Sequence, residues 1–517
     1  AGAPTPASTP SDQEEVAPHS PKNPADEPQQ EQAEPPLTRH AAGTDASDGP
    51  TEPSADAPPE APPYFADPAR EAEGNPPVGA LGLPPENAEA DQPQEAPEAP
   101  LVQEERPRRI PQDGPLQYVI YAVLFLSAVV TTAMAGAEWR TNRGWWFSGF
   151  STGENPLRWE DLHYGAGFAF AFLLFLSVHE FGHYFTARWH RVRSSLPYYI
   201  PVPPLLPLNI GTLGAVIRLR SRPRSTRQYF DIGIAGPLAG FVVALGLLVY
   251  GFLTLPEPEA YLYQMNPNYE ELFGGVPTEE QLLNEYGIGL RVGDSILFWA
   301  MEHILAAADR LPTHYDVIHY PFLFVGFLAL FFTALNLLPI GQLDGGHVTY
   351  GLLGRRGASV VARVTILALI LYGGVGLIDF RAVLVHWTVL ALPLGLYLLY
   401  LFYLVPRVLG TRLLRYIVPT VLGLLVAQQV LDPLLPDAKE FHGWLFIAFL
   451  YTLLIRPEHP PAEVEHPLDP RRRWLGWLAL AILVLCISPA PLEWVQQGNA
   501  DPAIKGELKM ALQALAP

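Results

Sequence analysis

The chain has 517 residues, a net charge of −19, 49% hydrophobic residues and a mean hydropathy of +0.14. The charge belongs to one end: residues 1–105 carry 22 Asp and Glu against Lys22, Arg39 and Arg70, and the rest of the chain balances, so no general attraction to nucleic acid follows. Cys486 is the single cysteine, which excludes an intrachain disulfide and a thiolate metal cluster, and the apolar content is too high for an ordinary soluble protein.

Residues 1–105 are rich in Pro, Ala, Glu and Asp and nearly devoid of aromatic and β-branched residues. Such a stretch buries too little apolar surface to offset its ordering entropy, which predicts a disordered acidic tail, solvated or bound to a cytoplasmic partner. It has neither the basic start and apolar core of a signal peptide nor the composition of an organelle transit peptide. Arg106, Arg108 and Arg109 then introduce a first span over Leu116–Ala137 and a linker to about 150. Further apolar stretches follow at 164–187, 230–254, 320–340, 364–378, 386–405, 416–431, 442–455 and 474–488. The expected fold is therefore an all-α polytopic membrane protein of about eight or nine spans, with a polar C-terminal tail over 491–517.

The arginines orient these spans by the positive-inside rule. With the Arg106 side cytoplasmic, the predicted cytoplasmic stretches contain Arg188, Arg191, Arg193, Arg218, Arg220, Arg222, Arg224 and Arg227, then Arg355 and Arg356, then Arg407, Arg412 and Arg415, then Arg471, Arg472 and Arg473. The intervening stretches hold Glu257, Glu259, Glu270, Glu271, Glu279 and Glu280, then Asp432 and Asp437.

Within the second span stands His179-Glu180-Phe181-Gly182-His183. Histidines at i and i+4 share one helix face and can reach one tetrahedral zinc, beside whose open position the glutamate stands. Glu180 is the candidate general base toward zinc-bound water, whose pKa the metal lowers to about 7. Residues 165–178 carry no charge, and ionisable groups inside a membrane mark function by default. Counting from Gly165 puts His179 about 21 Å along the helix, roughly two-thirds of the way toward the cytoplasmic face.

The third ligand is sought in Asn336-Leu-Leu-Pro339-Ile-Gly341-Gln-Leu-Asp344-Gly345-Gly346-His347, after another charge-free run at matching depth. An unbroken helix would carry Asp344 about 35 Å along and out of the core. Pro339 and Gly341 predict a break that returns Asp344 toward the histidines, and broken backbone at membrane depth is tolerated where protein buries it. His347 is expected to be a hydrogen-bonded neighbour, not a ligand.

These two motifs, with Ala235-Gly236-Pro237-Leu238-Ala239-Gly240 between them, resemble the site-2 protease family of intramembrane zinc metalloproteases over about residues 160–360. The resemblance implies peptide-bond hydrolysis within or beside the transmembrane segments of membrane-protein substrates, one Zn2+ held by His179, His183 and Asp344, and catalysis by Glu180. It also implies that Asn336 orients substrate or steadies the oxyanion. A PDZ domain, frequent in that family, finds no room: 190–229 is too short, and 255–319 shows helical patches near 279–285 and 294–308. Its lack, the Gly293-Asp294-Ser295 stretch and the polar N-terminus place the resemblance nearer the bacterial and plastid branch, hence an expected bacterial plasma membrane with the site opening to the cytoplasm.

Residues 196–207 read as a proline-punctuated interfacial loop, and 211–220 as a strand. Two roles stand open for that strand: pairing with an unwound substrate through Gly211, Gly214 and Val216, or packing as a hairpin on the cytoplasmic mouth. Gly236 and Gly240 have the spacing of close helix packing, expected against the motif helix. The helices over 361–490 carry no zinc motif. A transporter would explain the many spans but not the two motifs at one depth, and a catalytically silent scaffold is not favoured, since every ligand and Glu180 are present. A membrane zinc protease with a glutamate third ligand lacks a matching helix-borne glutamate.

Overall fold

The computed structural model describes residues 114–147, 156–205 and 209–496, apart from 266–267, 287, 308–309, 381–382, 384–385, 411–414 and 436–440. The expected acidic tail and most of 491–517 lie outside the described residues.

The chain opens with α1 (Pro115–Thr141), whose proline sits at the first helical position, where its missing N–H costs no helical bond, and which ends at Asn142 in the left-handed region (φ 50°). A 3-10 turn, Trp159–Gly165, leads into α2 (Ala166–Trp189), the helix bearing both histidines. A hairpin follows, β1 (Tyr198–Pro201) against β2 (Thr212–Val216), antiparallel with Tyr198 opposite Val216 and Tyr199 opposite Ala215. α3 (Thr226–Leu253) starts at Ser225, whose hydroxyl accepts from the Gln228 N–H at 3.3 Å.

Outside the long helices come α4 (Pro258–Met265), α5 (Asn268–Phe273), α6 (Glu279–Tyr286), β3 (Ile288–Val292) and α7 (Ile296–Leu305). α8 (Pro321–Leu337) stops two residues before Pro339. α9 (Asp344–Gly373), α10 (Trp387–Leu409), α11 (Ile417–Leu431), α12 (Gly443–Leu454) and α13 (Pro470–Cys486) complete the helices, and β4 (Leu492–Gln496) pairs antiparallel with β3.

The protein is a polytopic all-α membrane protein with small two-stranded sheets. Among the described residues, five helical segments are long and apolar enough to cross a membrane: Pro115–Thr141, Trp159–Trp189, Thr226–Leu253, Asp344–Gly373 and Leu390–Leu409. Four shorter apolar helices include Pro321–Leu337, Ile417–Leu431 and Gly443–Leu454. The apolar stretch over 364–378 falls on the second part of α9, which a kink at Gly354 (φ 66°, ψ 179°) divides from the part that begins at Asp344. One sequence expectation is corrected. The start of the expected C-terminal tail is a strand, because Leu492–Gln496 finds its partner in β3.

Two packed cores organise the helices. One gathers α2, α3 and α8 through Phe168, Phe172, Phe175, Phe230, Leu248 and Phe324. The other joins α9 to α12 through Ile366, Ile370, Leu401, Leu404 and Trp444. Where α1 meets the start of α2, a Cβ on Gly165 would lie 1.8 Å from the Ala133 carbonyl oxygen. Gly165→Ala is therefore expected to lower stability by about 1–3 kcal/mol, whereas Gly246→Ala on α3, with nothing within 4 Å of the added carbon, is neutral or stabilising. Thermal unfolding of the two variants in detergent checks this, and equal shifts would contradict the packing.

Candidate metal centre

α2 carries His179, Glu180 and His183 to a place where α3 passes unusually close. A Cβ on Gly182 would fall 2.7 Å from the Ala235 carbonyl oxygen, and one on Gly236 would fall 2.1 Å from His183 Nε2. Gly240 lies against His179 in the same way, 3.2 Å from Nδ1 to its added carbon. The expected packing of the glycine pair against the motif helix is thus seen at atomic distances, and its result is room for two imidazoles.

The segment after α8 supplies the carboxylate. Leu337 ends the helix, Gly341 takes φ 51°, and the turn closes on itself through Ile340 N–H to Leu338 O (2.7 Å) and Leu343 N–H to Ile340 O (3.0 Å). Asp344 then opens α9 and points back at α2. Its Oδ2 is 3.4 Å from His179 Nε2 and 3.2 Å from His183 Nε2, and the two Nε2 atoms are 3.1 Å apart.

The histidines and Glu180 are nearly sealed from the surface, with exposures of 4%, 7% and 8% for His179, His183 and Glu180. Three donor atoms at such separations fit the edges of a tetrahedron around zinc, which span about 3.3 Å for bonds of about 2.0 Å. His183 Nδ1 donates to the Ile232 carbonyl at 2.7 Å, which turns Nε2 and its lone pair toward the shared point, as metal-binding imidazoles are commonly oriented. His179, His183 and Asp344 therefore fit a divalent ion, and the open side of the three faces Glu180.

The hairpin roofs this site. The Ile217 N–H donates to Glu180 Oε2 at 3.0 Å, and the Ser177 hydroxyl meets the Tyr199 hydroxyl at 2.6 Å. α1 braces the hairpin from outside: Thr131 Oγ1 donates to the Gly211 carbonyl (2.6 Å) and Trp139 Nε1 to that of Asn209 (2.7 Å). A cavity of about 420 Å³ runs between hairpin and helices, and Asn336, Gly214 and Val216 line it with the three candidate ligands and Glu180. Gly211 stands apart from it: at φ 81° it presses on the backbone of Thr131 and Thr132, so its glycine character is explained by α1. Leu213 and Val216 expose apolar side chains (76% and 51%) on a strand paired along one edge among the described residues.

His347 is a hydrogen-bonded neighbour of the centre. Its Nδ1 donates to His459 Nε2 at 2.7 Å while His459 Nδ1 donates to the Pro460 carbonyl at 2.6 Å, and Tyr229 stacks on the His347 ring. His459 belongs to a segment between α12 and α13 that straps across the ends of α3 and α9. Thr226 N–H reaches Val464 O (3.2 Å), and Tyr350 Oη donates to Glu465 (2.8 Å) while accepting from Ala462 N–H (3.0 Å). No local pattern in the sequence marks this strap.

Residues 167–378 match the model of Peptidase family M50. The chain is 29% identical over 307 residues to "Probable zinc metalloprotease EGY1, chloroplastic" of Arabidopsis thaliana, covering 56% of this chain and 48% of that protein. It is 28% identical over 217 residues to "Probable zinc metalloprotease EGY2, chloroplastic" of Oryza sativa subsp. indica, covering 42% of this chain and 33% of that one. The chain thus spans about half or less of the length of these relatives. No solved structure matches it.

Two outcomes are expected. Gly236→Ala drives a methyl into His183 and lowers zinc affinity about 10–100-fold, the scale of losses from disturbed ligand orientation, read as metal content after dialysis. Burial pushes His459 down to about 4 from its ordinary 6.5, with the Pro460 carbonyl acting in the opposite sense. The strap is therefore stabilised by neutral His459 above pH 6.5 and loses that contribution as pH falls toward 4. Lower protection of the amides of residues 456–469, measured against their intrinsic exchange rates, at pH 4.5 than at pH 7, with the difference abolished in His459→Gln, is the expected reading.

Proposed function

We propose that this protein, whose residues 167–378 match the model of Peptidase family M50, is an intramembrane zinc metalloprotease of the site-2 protease family that hydrolyses peptide bonds within or next to transmembrane segments of membrane-protein substrates. The observation that carries the reading is the meeting of His179, His183 and Asp344 within 4.8 Å of one another, beside Glu180, in the interior of the helix bundle. A zinc ion held by those three residues supplies Lewis acidity toward water and the scissile carbonyl.

Glu180 is the general base: the Ile217 N–H holds Oε2 at 3.0 Å, and Oε1 carries the proton from water to the leaving amide nitrogen. Asn336 reaches the cavity from the end of α8 and offers its amide N–H to the developing oxyanion. A helical peptide bond is shielded, so substrate must enter extended. The edge of β2 that is unpaired among the described residues is a ready partner for it, with Leu213, Gly214 and Val216 along the cavity, which supports strand addition over mere roofing. Arg188 and Arg191 stand at the end of α2, and Arg222, Arg224 and Arg227 at the start of α3, near the site, which supports a cytoplasmic opening; a bacterial plasma membrane is proposed on the same reading. A partner for the acidic N-terminal tail is proposed on the same cytoplasmic side.

Purified wild type and Glu180→Gln are compared for zinc content and for cleavage of a membrane-embedded helical peptide. Glu180→Gln is expected to keep its zinc and lose about 10²–10⁴ in rate, and Leu213→Pro to keep zinc and lose cleavage by removing an edge N–H. Activity that survives Glu180→Gln would sink the mechanism, and a zinc-loaded wild type that cuts no membrane segment would favour a silent scaffold.

A further inference from the structure

A second group of ligating side chains lies outside the long helices. Asp294 in the loop between β3 and α7, Glu302 on α7 and His314 before α8 bring their ligand atoms within 4.8 Å of one another. His314 is fixed twice to one residue: its carbonyl accepts from the Val292 N–H at 3.1 Å, and its Nδ1 donates to the Val292 carbonyl at 2.9 Å. With Nδ1 so occupied, Nε2 presents a lone pair, and what it faces is Glu302 Oε2 at 4.0 Å. Asp294 Oδ1, an atom shielded from solvent and without a hydrogen-bond partner, stands 3.9 Å from Nδ1 of the same ring, on a partly exposed side chain, and one oxygen of each carboxylate lies within 4.8 Å of a ring nitrogen.

These separations are too long for direct hydrogen bonds and leave the width of an ion between like-charged oxygens and a nitrogen lone pair. The surroundings add negative charge, since Glu279 lies against the His314 backbone N–H (3.4 Å) and Glu493 comes from β4. Arg291, 3.4 Å from Glu493, offsets part of it.

We propose that Asp294, Glu302 and His314 form a second divalent-cation site, independent of the intramembrane centre, that clamps the extramembrane elements together. One imidazole nitrogen with two carboxylates suits Zn2+ or Mn2+ better than Ca2+, which takes oxygen ligands. An Nδ1 donor bond to a backbone carbonyl is the usual outer support of a metal-binding histidine. Closing the present 4.8 Å spread onto bonds of about 2.0–2.2 Å needs only side-chain rotation, because Asp294 stands in a loop and Glu302 near the end of its helix. The ion would tie the exit of β3 to the turn at Thr313–Asp316, which feeds α8 and hence Asn336 and the Asp344 turn.

The full chain, purified in detergent and stripped with chelator, is titrated with Zn2+, Mn2+ and Ca2+, and bound metal per chain is measured together with thermal stability. Zinc uptake of two ions is expected for wild type, one for Asp344→Asn, and one for Glu302→Gln and for His314→Phe. Glu302→Gln nearly preserves shape, so an unchanged melting curve without metal shows that it folds, and its loss of the metal-induced stabilisation then reports the site itself. Two ions still bound by both Glu302→Gln and His314→Phe would overturn the proposal, as would an Asp344→Asn chain that binds none. Stabilisation by Ca2+ equal to that by Zn2+ would overturn the ion class. Failure of the intramembrane reading appears separately, as a wild type whose single ion is lost in Glu302→Gln and kept in Asp344→Asn.

Discussion

The structure depends on a helix, α8, that stops inside the packed helix bundle. An ionisable side chain at that depth needs partners, and a broken backbone there needs its own N–H and C=O groups satisfied. The segment Leu338–Leu343 meets both demands: the turn bonds to itself, the His347 N–H returns to Leu343 O at 3.0 Å, and Asp344 is delivered to two imidazoles. Other features follow from that arrest. α3 must pass close enough to shape the space for the rings, so Gly236 and Gly240 stand where any larger residue would strike them. The hairpin must cover Glu180 without filling the cavity, so it touches the carboxylate through a backbone N–H and leaves the side chains of Leu213 and Val216 outward.

What the sequence made legible was local chemistry with a period. The spacing of His179 and His183 sets a helix face, an uninterrupted apolar run sets depth, and Pro339 with Gly341 sets a break, so the meeting of α2 with Asp344 could be foreseen by counting. The packing of Gly236 and Gly240 on α2 was legible for the same reason. Pairings between distant and compositionally ordinary segments were not. His459 bonds to a residue 112 positions earlier, and the strap around it has no repeat, motif or periodicity of its own. The extent of α9 escaped because Gly354 breaks it and arginines flank the break, so only its apolar far part reads as a span. Gly211 read as part of a substrate strand, whereas its positive φ and its seat on α1 answer to a neighbour that the local sequence does not reveal.

The helices beyond the family-matched stretch are tied to the centre by side chains, not merely placed beside it. Trp444 and Ile370 join α9 to α12, and the strap leading on from α12 closes over Tyr229 and His347. Arg472 at the start of α13 forms paired 2.7 Å bonds with Asp231 of α3, which also holds His190 at the end of α2 at 2.8 Å. These part-buried bonds hold the start of α13 against the start of α3. The N-terminal end of α3, the motif helix's partner, is thereby referenced to the C-terminal third of the chain.

The pairing of β3 with β4 bears on how the molecule is made. Arg291 and Glu493 face each other across that ladder although 202 positions separate them. A ribosome adding about 5–20 residues per second takes about 10–40 s to travel between them, and during that time the intervening helices enter the membrane. The candidate ligands His179, His183 and Asp344 are all synthesised before that interval is half over. The intramembrane centre thus has its parts early, while the extramembrane layer waits for nearly the last described strand, which makes its closure a late step in biogenesis.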